Sequence, residues 1–370
     1  MSALVENAVG FSGQFLSIDY EQRKNYHIFM KIEELKSVLI TGGYGFIGSN
    51  FIRLLREKNP SVKIYNFDKL TYAANIENLK DFENDSNYTF IRGDIKDGSM
   101  LDIIFPKVEL VVHFAAETHV DRSIHNPGEF VLTDVYGTFS LLEKMKQHKN
   151  VKLFIHISTD EVYGSIKKGS FTEDSPMNPS SPYSASKTGA DRLAYSYFKT
   201  YELPIIIVRP SNNYGPYQHV EKFIPLFITN VIEERSLPLY GTGENIRDWL
   251  FVEDNCKAIM TVIEKGKTGE AYNIGASQEK KNIEVVDMIL NYFNKSRDIL
   301  DFVDDRRAHD FRYSLNWDKI GKLGWKPEVN FDEGLKRTIE WYINNRNWWE
   351  KVKKGEFSNF YQKNYKKELQ

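Results

Sequence analysis

Two adjacent carboxyl residues and a tyrosine–lysine pair are the side chains of this sequence whose types and spacing suit acid–base chemistry. Asp160 and Glu161 come shortly after the apolar run Leu153–Ile157, and Tyr183 lies four residues before Lys187 in a stretch of helical character. Four-residue spacing places Tyr183 and Lys187 on one face of a helix, where the ammonium can lower the pKa of the phenol. A phenolate prepared in this way can take the proton of a hydroxyl group. The same pair is common in ordinary helices, so its context decides the interpretation.

Asp160 and Glu161 can act on one bound molecule as an acid and a base if their side chains reach different atoms. One carboxyl group must then be protonated while the other is ionised. This arrangement requires the two residues to lie in a turn rather than in a strand. The alternative is structural, because carboxylates are also favoured at the cap and in the first turn of a helix.

The elements that must position these groups are short β-branched runs that alternate with longer amphipathic stretches. The runs are Ser37–Thr41, 63–67, Tyr88–Arg92, 110–114, Leu153–Ile157 and 204–208. This rhythm predicts an α/β fold, a Rossmann-type doubly wound parallel sheet with helices on both faces. Ligands of such sheets bind beyond the carboxyl ends of the strands, which is where Asp160 and Glu161 are expected.

The regular alternation ends at a Pro/Gly/Asn-rich stretch over residues 210–216. We therefore expect an N-terminal extension over residues 1–36 and a dinucleotide-binding Rossmann domain over residues 37–209. Residues 210–345 are expected to form mainly a smaller, mixed α/β substrate-binding lobe, from which some segments return to the Rossmann domain. Residues 346–370 are expected to form a C-terminal tail that packs on the lobe as a surface helix.

Gly42, Gly45 and Gly48 follow the first predicted strand and lead into a helical stretch. Glycines at these positions permit a tight turn, close approach to a pyrophosphate and close packing of the helix on the strand. Asp68 comes twenty positions after Gly48, where a carboxylate accepts hydrogen bonds from the adenosine ribose. This favours NAD over NADP, although the neighbouring Lys69 can tolerate a 2′-phosphate.

Residues that follow the third and fourth predicted strands are expected at the adenine and ribose. They are Asp94, Ile95, Phe114, Ala115 and Ala116. The alternative for the two alanines is close packing between a helix and a strand.

Composition excludes several classes of function. The 49 Lys and Arg residues balance 51 Asp and Glu residues to a net charge of −2, which gives no overall field to attract nucleic acid or an anionic membrane. Cys256 is the only cysteine, so there is no internal disulfide, and with no metal-ligand spacing either we expect no metal. No apolar run is long enough to span a bilayer and residues 1–36 lack a secretory signal pattern, so a cytoplasmic protein is expected. His113 and His156 are interpreted as strand residues and His119 as a supporting residue, none of them catalytic.

Several motifs together resemble the nucleotide-sugar branch of the extended short-chain dehydrogenase/reductase family. They lie at residues 68–72, 115–121, 158–164, 211–217, 247–249 and 305–309, and the resemblance extends over about residues 37–341. It implies an NAD-dependent 4,6-dehydratase, a lyase of deoxysugar and rhamnose biosynthesis that acts on a nucleoside-diphosphate hexose, with dTDP-glucose as the expected substrate. It also implies a homodimer formed through two helices.

The resemblance also implies roles for the reactive residues. Thr159 and Tyr183 would serve oxidation at C4 of the sugar, Asp160 would protonate the departing C6 hydroxyl, and Glu161 would take the proton from C5. Oxidation at C4 has to come first, because only a carbonyl group next to C5 makes its hydrogen acidic enough for a carboxylate. The alternatives are a UDP-glucose 4,6-dehydratase, an epimerase or decarboxylase of the same family, or a non-enzymatic NAD-binding protein. The Tyr183–Lys187 pair argues against the last of these.

The remaining site residues follow from the same resemblance. Further cofactor-binding positions are Phe46, Ile47, Leu70, Thr71, Thr118, Thr133 and Asn213, together with Lys69, Tyr183 and Lys187. Substrate-binding positions are Thr118, Thr159, Asn212, Lys222, Phe223, Pro238, Leu239, Tyr240, Arg247, Asn282, Arg306 and His309. The sequence departs from the family pattern at Ala308, where Gly is usual, and at Val220, where Pro is frequent, so the choice between dTDP and UDP stays open.

Overall fold

A computed structural model describes residues 30–354, and its centre is a seven-stranded parallel sheet. The strands of these residues are β1 Ser37–Thr41, β2 Lys63–Asp68, β3 Tyr88–Arg92, β4 Leu110–His113, β5 Leu153–Ile157, β6 Ile205–Pro210, β7 Asn212–Tyr214, β8 Leu237–Tyr240, β9 Ile246–Phe251, β10 Ala271–Ile274, β11 Glu279–Lys281 and β12 Leu300–Val303. The order in the large sheet is β3-β2-β1-β4-β5-β6-β10. The Rossmann-type α/β fold predicted from the sequence is confirmed.

Twelve α-helices accompany the strands in the described part of the chain. They are α1 Phe46–Lys58, α2 Gly98–Ile104, α3 Val120–His125, α4 Pro127–Phe130, α5 Thr138–Gln147, α6 Pro182–Tyr201, α7 Phe223–Ile232, α8 Val252–Lys265, α9 Asn282–Tyr292, α10 Asp318–Gly321, α11 Phe331–Asn344 and α12 Arg346–Lys354. A π-helical segment, Val131–Gly137, joins α4 to α5, and a short 3-10 helix, Asp160–Tyr163, follows β5. None of the helices within residues 30–354 has the length and hydropathy needed to cross a bilayer.

The inner strands β1, β4, β5 and β6 are buried along their whole length, because apolar side chains point to both faces of the sheet, whereas β3 at its edge is partly exposed. Val38 and Ile40 of β1 face a core that includes residues of α1 and α8, whereas Leu39 between them faces a second core with residues of α2, α5 and α6. This period of two is the expected alternation along a strand. All six predicted runs form strands; three have the predicted bounds, and the other three differ from them by one or two residues at an end.

The remaining strands form two small sheets, β11-β9-β7 and β12-β8. Their core contains Phe227 of α7, Trp249 of β9, Ile289 of α9, Leu335 of α11 and Trp349 of α12. Because β10 returns to the large sheet, the chain crosses between the two cores more than once. The domain bounds given above therefore remain a prediction.

The predicted terminal segments lie partly outside the described residues. Residues 1–29 and 355–370 are not described, whereas residues 30–36 and 346–354 are. Met30, Ile32 and Leu35 are buried in the core beside β1, so this end of the predicted extension packs with the sheet. Trp349 is fully buried, so α12 is part of the core of the lobe and not only a surface helix.

Candidate active site

Two adjoining cavities open at the carboxyl ends of the large sheet. One of about 220 Å³ lies over β1, β2 and β4, and one of about 300 Å³ lies between β5 and the lobe. We call them the cofactor cavity and the substrate cavity. Residues that line both are Phe46, Ile47, Thr118, Ser158, Tyr183, Gln218 and Lys222. A molecule in one cavity therefore lies next to a molecule in the other.

The glycine turn between β1 and α1 forms the floor of the cofactor cavity. Gly42 has a φ of 72°, and a Cβ there would lie 2.7 Å from the backbone nitrogen of Ala115. A Cβ on Gly48 would lie 2.4 Å from the carbonyl oxygen of Gly42, so α1 packs directly on the turn. Gly45 caps α1 without a side-chain hydrogen bond, which leaves the amide groups of the helix N-terminus available to an anion.

Gly42→Ala should destabilise the protein by about 1–3 kcal/mol and reduce its NAD content, because the new Cβ meets both a left-handed φ and the backbone of Ala115. Gly128→Ala is the matched control, since a Cβ at Gly128 has nothing within 4 Å and its φ is not positive. Calorimetric unfolding and the NAD bound per protein chain measure the two effects. Equal stability of the two variants would contradict this account of the turn.

Asp68 is the last residue of β2 and lies at the edge of the cofactor cavity. Its carboxylate accepts hydrogen bonds from the backbone amides of Tyr44 at 2.9 Å and Leu70 at 2.8 Å. Lys69 lies beside it, but its ammonium is 3.0 Å from the carboxylate of Asp94. That ion pair weakens the case for Lys69 as a partner of a 2′-phosphate.

Nearly all of the predicted cofactor residues line the cofactor cavity. These are Gly42, Gly45, Phe46, Ile47, Gly48, Asp68, Lys69, Thr71, Asp94, Ile95, Phe114, Ala115, Ala116, Thr118, Thr133, Tyr183 and Lys187. Leu70 does not, because with a φ of 59° its side chain packs against the core beside β1. Asn213 lines the substrate cavity instead, since it belongs to β7 beside the lobe, where its amide nitrogen donates to Ser211.

Asp160 and Glu161 form the first turn of the 3-10 helix that follows β5, so they lie in a turn as the acid–base hypothesis requires. Thr159 caps this helix, and its hydroxyl accepts a hydrogen bond from the amide of Glu161 at 3.3 Å and donates to Oδ1 of Asp160 at 3.2 Å. Oδ2 of Asp160 is buried and has no partner among the described residues. The two acids therefore also occupy the first turn of a helix, as the structural alternative requires. That alternative does not explain why Oδ2 of Asp160 is buried without a partner there.

The surroundings of the two carboxyl groups favour different protonation states. Burial raises the pKa of Asp160 well above its usual value, and the charge of Glu161 raises it further. Burial also raises the pKa of Glu161, but three cations oppose that rise. These cations are Arg306, Arg247 and Lys222. Asp160 therefore keeps its proton to a higher pH than Glu161, as an acid and base pair requires.

Tyr183 and Lys187 lie in the first turns of α6, and both face the cofactor cavity. Lys187 is buried, and its ammonium donates a hydrogen bond of 2.7 Å to the carbonyl oxygen of Ile157. The expected lowering of the Tyr183 pKa is wrong for the protein alone, because burial and the charges of Glu161 and Asp134 raise that pKa. A cation next to the phenol is needed to reverse the effect, and oxidised nicotinamide is such a cation.

The predicted substrate residues all line the substrate cavity. They are Thr118, Thr159, Asn212, Lys222, Phe223, Pro238, Leu239, Tyr240, Arg247, Asn282, Arg306 and His309. Asp121, Gln218, Trp249 and Tyr313 line it too, although the sequence analysis did not assign them, and so does His119, which it interpreted only as a supporting residue. Asp121 ends one of the quoted motifs, whereas Tyr313 stands outside every motif and gave no sequence signal.

The two arginines of the substrate cavity differ in the partners that hold their guanidinium groups. Arg247 is buried, and its two terminal nitrogens donate to backbone carbonyls, at 2.8 Å to Ile246 and 2.9 Å to Asp310. Nη1 also donates to the carbonyl oxygen of Phe311 at 3.3 Å, so the backbone takes up three of the five N–H donors of this guanidinium. Arg306 is only loosely paired, with 3.9 Å between its guanidinium and the carboxylate of Asp121.

The three histidines that the sequence analysis interpreted as non-catalytic lie in different surroundings. His113 of β4 lies 2.8 Å from the hydroxyl of Thr41 and 3.0 Å from that of Thr138, and His156 lies in β5, which confirms both as strand residues. His119 lines the substrate cavity, and burial lowers its pKa to about 3, so it is neutral. Within residues 30–354, no three His, Cys, Asp or Glu side chains are grouped so as to hold a metal ion.

The cofactor cavity fits a dinucleotide. It combines a glycine turn with no room for side chains, uncapped amides at the N-terminus of α1, a carboxylate at the end of β2, and a buried lysine on α6. This is the donor set that binds a pyrophosphate and two riboses at the switch point of a doubly wound sheet. The model of the family described as GDP-mannose 4,6 dehydratase matches residues 39–338.

The chain belongs to this family. Its relatives include a dTDP-glucose 4,6-dehydratase of Streptomyces niveus, which is 47% identical over 321 residues, 85% of this chain and 95% of the relative. A crystal structure of a dTDP-glucose 4,6-dehydratase from Streptomyces venezuelae with NAD bound has a TM-score of 0.83 and 46% identity, and the match covers 85% of this chain and 99% of that one.

The same fold also occurs in the family's epimerases. A UDP-glucuronic acid 4-epimerase from Bacillus cereus, solved with NAD, has a TM-score of 0.79 but only 27% identity over 83% of this chain and 99% of its own. The similarity in sequence is thus much higher to the dehydratases than to this epimerase. The resemblance to the nucleotide-sugar branch of the short-chain dehydrogenases is confirmed.

Proposed function

We propose that this protein is an NAD-dependent dTDP-glucose 4,6-dehydratase, which converts dTDP-glucose to dTDP-4-keto-6-deoxyglucose and water. The observation that carries the proposal concerns Oδ2 of Asp160, which is buried without a hydrogen-bond partner among residues 30–354 and lies in a cavity that Glu161 and Tyr183 also line. An acid, a base and a hydroxyl-activating phenol meet at one point. The names of the similar proteins support the same reaction and dTDP-glucose as its substrate.

NAD⁺, held by the residues that line the cofactor cavity, would supply the hydride acceptor for C4 and the hydride donor for C6. Tyr183 takes the proton of the C4 hydroxyl, and the hydroxyl of Thr159 turns from Oδ1 of Asp160 to donate its one hydrogen bond to the oxygen that becomes the ketone. Lys187 holds the ribose next to the nicotinamide. The ketone makes the C5 hydrogen acidic, and the ionised Glu161 removes it.

Asp160 then delivers its proton to the C6 oxygen, which leaves as water. The carboxyl groups end this step with their protonation states exchanged. Glu161 returns its proton to C5, and Asp160 gains a proton from water, to which Tyr183 releases the one it took from the C4 hydroxyl, so all three groups are restored. Burial of Asp160 keeps the proton in place until the leaving group needs it, and enclosure by the lobe protects the unsaturated ketone from water.

The diphosphate is expected at Lys222 and Arg306, which line the substrate cavity on the lobe side. Arg247 contributes its charge and those of its N–H donors that the backbone carbonyls do not take up. Phe223 stacks on Trp249 with ring centres 6.1 Å apart and offers an apolar wall.

Product mass after incubation with three nucleotide sugars tests the activity. With dTDP-glucose the product should be lighter by one water, and UDP-glucose and UDP-glucuronate should react more slowly. Equal or faster loss of water from UDP-glucose would favour the UDP-sugar alternative. An unchanged mass with inverted configuration would indicate an epimerase, and loss of carbon dioxide a decarboxylase.

A homodimer in the cytoplasm completes the proposal. Large apolar side chains are exposed on one stretch of the π-helical segment and α5, at Val131 (54%), Leu132 (46%), Tyr136 (49%) and Phe139 (37%). Such a stretch suits a self-complementary interface between helices. The single cysteine, Cys256, is buried and unpaired, in keeping with a reducing compartment. Light scattering on Leu132→Glu, which should give a monomer, tests the interface.

A further inference from the structure

Tyr72 and Arg122 lie outside the walls of both cavities, yet they join the sheet to the lobe. Tyr72 is in the loop after β2, and Arg122 is in α3, after β4. The guanidinium of Arg122 lies 3.5 Å from the ring centre of Tyr72. Its Nε and Nη2 donate to one carboxylate oxygen of Glu221, at 3.1 and 2.9 Å. The side chain of Glu221 is fully buried, so this ion pair is shielded from water.

A second set of contacts links Tyr72 to Lys222 through Thr118. The ammonium of Lys222 donates a hydrogen bond of 3.0 Å to the hydroxyl of Thr118, and the hydroxyl of Tyr72 donates to the carbonyl oxygen of Thr118. Since Lys222 directly follows Glu221, the contacts close a ring from Tyr72 through Thr118, Lys222, Glu221 and Arg122 back to Tyr72. Thr118 and Lys222 both line the two cavities, so the ring supplies two of the residues at their junction.

We infer that Arg122, held over Tyr72, is a positioning residue that sets the ammonium of Lys222 at this junction, where it binds the diphosphate of the substrate. The inference rests on the proposed function, which places a nucleoside diphosphate at Lys222. Arg122 occupies the carboxylate of Glu221. Without it, that carboxylate exerts the strongest attraction of the neighbouring acids on the ammonium of Lys222 and draws it away from Thr118.

The charges around Lys222 are consistent with a competition between Glu221 and Thr118 for its ammonium. Burial lowers the pKa of Lys222, and the carboxylate of Glu221 is the largest opposing influence. The other charged groups that face Lys222 are Glu161, Asp121 and Arg122, and from further elements Arg306, His119 and His219. Burial lowers the pKa of each of these two histidines to about 3, so they add no charge near neutral pH. Arg122 is thus the cation that keeps Glu221 from capturing Lys222.

The test is calorimetric binding of thymidine diphosphate to NAD-loaded protein. Arg122→Gln should bind it more weakly by on the order of tenfold, the loss typical when a residue that orients a binding group is removed. Its NAD affinity should stay within about twofold of the wild type. Arg122→Lys should recover part of the loss, since it keeps the charge without the fork. Tyr72→Phe keeps the aromatic ring but loses the hydrogen bond to Thr118, and it should also weaken thymidine diphosphate binding. This second variant tests the inference if Arg122→Gln does not fold.

Arg56→Gln is the matched control, because Arg56 pairs with Asp85 at 2.8 Å with similar burial and lines neither cavity. It should lower the melting temperature without changing thymidine diphosphate binding. Wild-type affinity in Arg122→Gln, or an equal loss in Arg56→Gln, would overturn the inference while leaving the proposed function intact. A wild-type protein that fails to bind thymidine diphosphate would overturn both.

Discussion

Asp160→Asn should slow the loss of water from dTDP-glucose by about 100- to 10,000-fold, the usual contribution of a positioned general acid, while oxidation at C4 continues. Asn occupies the same space but has no acidic proton for the C6 oxygen. Single-turnover absorbance should therefore show reduced cofactor that persists, where the wild type shows at most a brief transient. Because Oδ2 of Asp160 has no partner within residues 30–354, the substitution removes no hydrogen bond at that atom.

Glu253→Gln is a suitable control for the loss of a carboxylate. Glu253 lies in α8, where it pairs with Lys257 and Arg337, and it lines neither cavity. Turnover should equal that of the wild type. If Asp160→Asn instead lost C4 oxidation and dehydration to the same extent, with no persistent reduced cofactor, Asp160 would not be the acid of the elimination step.

Glu161→Gln should reduce dehydration by a similar factor, about 100- to 10,000-fold, because the C5 proton then has no base. The two variants differ in what happens to that proton. In Asp160→Asn, Glu161 still removes and returns it, so substrate recovered from deuterium oxide should carry deuterium at C5. In Glu161→Gln, neither exchange nor water loss should occur.

Mass spectrometry of recovered dTDP-glucose measures this difference. Both variants should still oxidise C4, which Tyr183 and Thr159 serve. Exchange at C5 in Glu161→Gln at the rate of Asp160→Asn would assign the base to another group, and Tyr183 would then be the first candidate, since it lines the same cavity.

The parts of the site that the sequence predicted are those fixed by local pattern. The β-branched runs end where the strands end to within one or two residues, and the carboxyl ends of adjacent parallel strands necessarily meet at one edge. The sequence placed Asp68 and Asp160 correctly at that edge, because each comes within a few residues of the end of a predicted strand. The glycine turn was predictable because the tight turn and the close approach at Gly42 each exclude a side chain.

The parts that the sequence did not predict depend on contacts between distant segments. The fork of Arg247 is occupied by carbonyls of residues 310 and 311, more than sixty positions away. Burial of Tyr183, which outweighs any effect of Lys187 on its pKa, is a property of the assembled cavity. The pairing of Arg122 with Glu221 joins residues 99 positions apart, and no periodic pattern in the sequence indicates it.

One departure from the family pattern has a structural explanation, and one does not. Ala308 has a φ of 51°, in the left-handed region that glycine adopts at least cost, which accounts for Gly as the usual residue there. It lies between Arg306 and His309, both in the wall of the substrate cavity. Val220 is fully buried in the core of the lobe, and nothing in its surroundings requires proline.

Infrared difference spectroscopy at neutral pH tests the central claim most directly, namely that Asp160 is protonated while Glu161 is ionised. The spectrum of the wild type minus that of Asp160→Asn should contain the carbonyl stretch of a protonated carboxyl group. The spectrum of the wild type minus that of Glu161→Gln should contain only carboxylate bands. A protonated-carboxyl band that disappears in Glu161→Gln but remains in Asp160→Asn would contradict the assignment of acid and base.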